Sequence, residues 1–115
     1  LSDFQDYADL HGDEVVTVDS RGPDGKTPLH WMAILGDHQG IAILVKAGAV
    51  INALDAMGSA PIHEAVINRQ TTAVMELIAF NADLSIKNNS GQAPIDISRS
   101  DGFQPIIDIF EKLGL

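Results

Sequence analysis

The sequence predicts an all-α solenoid in which helix-turn-helix units stack side by side and are joined by β-hairpin-like turns. Three observations lead there. The tetrapeptide TPLH at 27–30 nearly returns as APIH at 60–63 and as APID at 93–96, each 33 residues after the one before. Two sets of turn residues keep the same step: Gly25, Gly58 and Gly91, then Gly48, Asn81 and Gly114. An apolar stripe at helical spacing, Ile41, Leu44 and Val45, recurs as Val74, Leu77 and Ile78 and in part as Ile107 and Phe110. Self-similarity at a fixed period of this size is the signature of a stacked array.

Each element follows from its residues. SDFQDYADLHGD, at 2–13, reads as one amphipathic helix, with Ser2 and Gln5 placed for a capping box and Phe4, Ala8 and Leu10 on a narrow apolar face. It is too short for a whole unit and is expected to cover the exposed edge of the first one. VVTVDSRGPDG then supplies an extended lead-in and a turn.

In each unit a glycine three residues before a proline supplies a positive-φ turn, and the proline opens a helix at no cost in hydrogen bonds. Thr27 is a good N-cap for the first of these helices. Gly48, Asn81 and Gly114 stand where a second helix should stop in the left-handed conformation. The expected helices span 28–35 and 38–47, 61–68 and 71–80, then 94–99 and 103–113. Helices this short are marginal alone and must be held by their neighbours.

At 115 residues the chain is a single domain, and 45% apolar with 20% charged residues is the composition of a folded protein. The net charge is −9, and Arg21, Lys26, Lys46, Arg69, Lys87, Arg99 and Lys112 are scattered, which argues against nucleic acid as a partner. The acidity reads either as solubility or as steering toward a basic partner. There is no cysteine, so disulfide and thiol chemistry are excluded. The longest apolar run is broken by Lys46, Gly48 and Asn52, so no membrane span is expected. No secretion signal is visible, which suits the cytoplasm, although the chain begins at Leu1 and a leader could have been trimmed.

Four histidines invite a metal or a general base. His11 and His38 read as loop or surface residues. His30, His63 and Asp96 share a register and form the one line of ligand types. Units stacked about 10 Å apart cannot bring them within the roughly 2 Å that zinc requires. RGPDGK at 21–26 lacks the ending of a phosphate loop, and no serine or cysteine nucleophile is set up. No catalytic site, metal site or cofactor is expected.

DGKTPLHWMAILGDHQGIAILVKAGAVINALD resembles an ankyrin repeat, with GSAPIHEAVINRQTTAVMELIAFNADLSIKN a looser copy and GQAPIDISRSDGFQPIIDIFEKLGL the looser C-terminal type. The resemblance covers 19–115 and divides the single domain into a capping helix and lead-in at 1–18, repeat 1 at 19–51, repeat 2 at 52–84 and a C-terminal capping repeat at 85–115. It implies that His30 and His63 brace neighbouring turns. Ala60 and Ala93 lack the capping hydroxyl of Thr27, and Asp96 replaces the third histidine. Ser98 and Arg99 stand where small apolar residues would pack, leaving Ile106 and Phe110 to carry burial in the last unit. Pro105 falls in the first turn of the last helix, where it is tolerated.

In this family, binding uses the turn tips and the inner-helix surface. Carried over by register, the tips contribute Arg21, Asp24 and Lys26, then Asp55, Met57 and Ser59, then Asn89, Ser90 and Gln92. The inner helices contribute Trp31, Ile34 and Leu35, then Glu64, Ile67 and Asn68. Trp31, the only tryptophan, is the expected hot spot, unless it folds back over the neighbouring turn.

The leading function is a non-enzymatic protein-binding module, monomeric when free. A narrower version is a bacterial-type inhibitor or immunity protein that neutralises a basic toxin or enzyme. The rival is a scaffold fragment of a longer multidomain protein, although the two loosened ends read as caps and favour a nearly complete protein.

Overall fold

The computed structural model describes residues 18–115, so the expected helix at 2–13 lies outside the described residues. Six helices follow as three pairs: α1 (Pro28–Leu35) with α2 (His38–Lys46), α3 (Pro61–Ile67) with α4 (Thr71–Ala79), and α5 (Pro94–Asp101) with α6 (Gln104–Lys112). α1, α3 and α5 pack in sequence as an inner layer, and α2, α4 and α6 as an outer one. The described residues contain no strand, and none of their helices is long and apolar enough to cross a membrane.

Pro28, Pro61 and Pro94 each open an inner helix as expected. Gly48, Asn81 and Gly114 take left-handed stops with φ of 98°, 66° and 86°. The expected helix ends at 47, 68, 80 and 113 are capping residues one position beyond the helices. α5 departs more. It continues past 99 to Asp101, because the residue able to turn left-handed is Gly102, at φ 73°.

That stop, between inner and outer helices, is built differently in the middle unit. Gly36 and Gly102 hold it in the first and third, but the position in register is Arg69, with φ 55°. A Cβ strains this conformation. Arg69 meets the strain with a two-pronged contact to Asp101 at 2.9 and 3.1 Å and by lying over the Phe103 ring, 5.1 Å from its centroid.

The core runs between the layers. Leu29, Ala33 and Ile41 in the first unit, Ile62, Val66, Val74 and Leu77 in the second, and Ile106 and Phe110 in the third are closed to solvent. Ala33, Ala65 and Ala73 are the small residues that let helices approach closely. Ser98, expected to be a poor fit, is buried because its hydroxyl donates to the Ile95 carbonyl at 2.7 Å, whereas Arg99 stays outside.

Candidate binding face

The turns come first, because they position everything on the open side. Each is closed by the same pair of bonds. The amides of Gly22, Asp55 and Asn88 donate to the carbonyls of Lys26, Ser59 and Gln92 at 2.9–3.0 Å, and the glycine amide donates back to the first residue of the turn. The tips also bond to one another: Ala56 N–H to the Asp24 carbonyl and Asn89 N–H to the Met57 carbonyl, both at 3.0 Å. In the second and third turns a side chain fixes the bend. Asp55 Oδ1 accepts the amides of Met57 and Ser59, both at 2.9 Å, and Asn88 Oδ1 accepts those of Ser90 and Gln92.

Histidines lock the turns to the inner helices. His30 Nδ1 accepts the Thr27 amide at 3.1 Å, so that nitrogen carries no proton and Nε2–H must donate to the Ser59 carbonyl, 2.8 Å away in the next unit. His63 repeats the arrangement, with Nδ1 accepting from the Ala60 amide at 3.0 Å and Nε2–H shared between the carbonyls of Ile86 and Gln92. Asp96 keeps half of it: its Oδ2 accepts the Ala93 amide at 2.9 Å, but a carboxylate has no proton to donate onward. The described residues hold no cluster of three or more His, Cys, Asp or Glu able to hold a metal.

Against this frame the contact residues expected from the sequence divide in two. Trp31 (45% exposed), Leu35, Met57 (64%) and Ile67 are open apolar side chains, with Ile34 half-buried among them. Trp31 and Leu35 are one helical turn apart, and Ile67 is one unit beyond Ile34, so they share the inner-helix side. Asp24, Asn68 and Asn89 are exposed polar neighbours, and Gln92 is half-buried. Arg21 is exposed but engaged, its guanidinium donating to the carbonyls of Gly25 and Leu54.

Asp55, Ser59 and Glu64 are not open as expected: they are buried at 8%, 5% and 8% exposure. Ser59 is held under by the Asp55 carboxylate and the His30 ring; for the two carboxylates the reason is Lys26. Its ammonium turns inward and sits 2.6 Å from Asp55 Oδ2 and 2.7 Å from Glu64 Oε2, drawing both carboxylates under the surface. Burial alone would raise the Asp55 pKa, but the Lys26 ammonium and the two turn amides outweigh it and hold the group below its ordinary range. Burial would likewise lower the Lys26 pKa, but the two carboxylates push it up instead.

This triad was not legible beforehand, because its members are 29 and 9 residues apart and meet only once two units are stacked. The sequence reading also missed the exposed Leu54, between the tips, and the exposed Ile43 and Met75 of the outer helices. Ile43 could have been found as the one large apolar residue of α2 outside the stripe.

Comparison with known proteins agrees with this architecture. The chain is 30% identical over 105 residues to a probable palmitoyltransferase of Saccharomyces uvarum, AKR2, covering 86% of this chain but 14% of that one. It is 30% identical over 100 residues to mouse protein phosphatase 1 regulatory subunit 27, covering 87% of this chain and 64% of that one. It is 38% identical over 72 residues to mouse Rabankyrin-5, covering 62% of this chain and 6% of that one. The chain thus spans less than two thirds of the length of each of these relatives. The family model for ankyrin repeats, in three copies, matches residues 8–108. With its three registered helix pairs, hairpin turns and histidine struts, the chain belongs to the ankyrin repeat family.

Proposed function

We propose that the chain is a non-enzymatic module that holds a protein partner across its turn tips and inner helices. One observation carries the reading: Trp31, Leu35, Met57 and Ile67 stay open on that side, although Leu29, Ile62, Val66 and Ile97 of the same inner helices are buried. Open apolar side chains rimmed by polar ones favour contact with another protein, and tryptophan is enriched at the centres of such contacts. Ankyrin repeats generally mediate protein–protein interaction, and one relative is named as a regulatory subunit. The net charge of −9 favours a partner with a basic contact surface, whose association would slow as salt rises.

The test is a comparison of faces. Proteins captured from a source lysate by the wild-type chain are compared with those captured by Trp31→Ala/Met57→Ala and by Ile43→Ser/Met75→Ser, which alters the outer helices. The expected result is a partner lost with the first pair and kept with the second. A partner kept with the first pair and lost with the second would move the interface to the outer helices.

A further inference from the structure

Trp31 and Glu64 occupy the same register position on α1 and α3, one unit apart. Lys26, which pairs with Glu64, belongs to the turn of the Trp31 unit, so the Glu64 carboxylate leans back toward that unit. Its Oε2 is taken by the Lys26 ammonium at 2.7 Å, and the side chain is only 10% exposed. Its Oε1 has no hydrogen bond among the described residues. Yet none of their fully buried side-chain oxygens lacks a partner, so Oε1 is not fully closed to solvent. Asp55, by contrast, is satisfied at both oxygens, by Lys26 on one side and two turn amides on the other.

Two carboxylates therefore share one ammonium, and the surplus negative charge is open to an incoming group only at Glu64 Oε1. In register beside it lies the half-exposed indole of Trp31. An anion would be repelled here, and a neutral group would leave the surplus charge uncompensated. A cation on a long apolar stem satisfies both neighbours: its head meets the carboxylate, and its stem and charge lie on the indole face. An ammonium already sits against the other oxygen of the same carboxylate, so the surroundings tolerate such a group.

We propose that this recess anchors a lysine or arginine side chain of the partner, its head at Glu64 Oε1 and its stem across Trp31. The proposal rests on the reading of the inner-helix face as protein-binding and names the chemistry that face selects.

Short random peptides displayed on phage and selected on the intact chain test it. The expected result is a set of binders sharing a Lys or Arg at one fixed place. Replacing that residue by norleucine should weaken binding to the wild type at least about tenfold, and weaken binding to Glu64→Gln by far less, as coupling across a close charge pair requires. Circular dichroism establishes that Glu64→Gln is folded. Should it unfold, Trp31→Ala replaces it in the same cycle, since an exposed side chain can be removed without opening the core. Binders with no shared basic place would overturn the anchor and leave the binding face standing, as would an equal norleucine effect on wild type and variant. A chain that selects no peptide at all would overturn both.

Discussion

His30 reaches Ser59 across 29 residues of chain, donating from Nε2 to its carbonyl at 2.8 Å while Nδ1 accepts the Thr27 amide. One buried ring thus ties the start of its own helix to the turn of the next unit, and it can do so only when neutral. Burial, which disfavours the charged ring, outweighs the Ser59 carbonyl and the nearby Asp55 charge, so the His30 pKa lies below its ordinary value of 6.5. The unfolded chain then takes up a proton before the folded one does. Stability is complete above the ordinary value and declines as pH falls below it. Urea midpoints measured stepwise from neutral to acid pH should fall for the wild type. They should be flatter for His30→Gln, which is also expected to lose about 2–3 kcal/mol at neutral pH from broken hydrogen bonds and poorer packing. Parallel curves would exclude His30 as the source of the slope.

Lys26→Met leaves Asp55 and Glu64 buried together without their cation. Removing one partner of a buried ion pair costs about 3–5 kcal/mol in other proteins, and the partly open edge here places the loss near the lower figure, about 3 kcal/mol. The sign with pH is fixed by Asp55, whose folded pKa lies below 3.8. The stability that its pairing contributes is present above the unfolded value and disappears as pH falls through the folded one. The gap between wild type and Lys26→Met in chemical denaturation should therefore close in acid, and a gap that widens there would contradict the triad.

The middle inner helix has half a cap. Thr27 presents a hydroxyl to the His30 amide, whereas Ala60 offers His63 only its backbone. Ala60→Thr should restore the hydroxyl at a position where the fold already houses one in the unit before. The expected gain is about 1 kcal/mol, read as a rise of a few degrees in melting temperature. A fall would mean that the Ala60 site is narrower than the Thr27 site.

Arg69 and Gly36 hold the same stop with opposite chemistry. Gly36→Ala should destabilise, since it adds strain at positive φ and drives a Cβ into the Gln70 amide, which caps the Ile34 carbonyl. Arg69→Ala should also melt below the wild type, because it keeps the strain and removes both compensating contacts. Arg69→Gly removes strain and contacts together and should melt close to the wild type. If the alanine and glycine variants melt alike, strain at this residue is negligible.

The array was legible because its signals are periodic. Gly25 and Pro28 return at a constant interval in both later units, His30 in one of them, and the left-handed stops keep the same step, so each repetition checked the one before. The role of His30 and His63 as struts was implied by the family resemblance that this register carries. Three features were not legible, for one shared reason: they depend on what a side chain meets in the neighbouring unit. Lys26 looked like a tip residue on an open face until stacking placed two carboxylates beneath it. Glu64 looked available because its register places it among the inner-helix contact positions. The break between 68 and 71 was expected, but Arg69 gave no sign of its left-handed turn, because a sequence pattern looks for glycine there and the compensating Asp101 and Phe103 belong to the next unit.

The tip-to-tip bonds of Ala56 with Asp24 and of Asn89 with Met57 have the same spacing and partners of the same kind. Side-chain rungs repeat it on the far side of the turns, where Asp19 Oδ1 accepts the Val50 amide and Asn52 Oδ1 the Asp83 amide, both at 3.0 Å. At the turn tips and these rungs, the two edges of the middle unit consequently complement one another. A gene in which the segment for 52–84 is duplicated in frame would give each newcomer a socket on one side and a plug on the other. The protein could thus change in length by whole increments, extending its reach toward a larger partner with the tip bonds and rungs already in place. The junction would ask for substitutions only where Lys26, Asp101 and Phe103 have no counterpart in the middle unit.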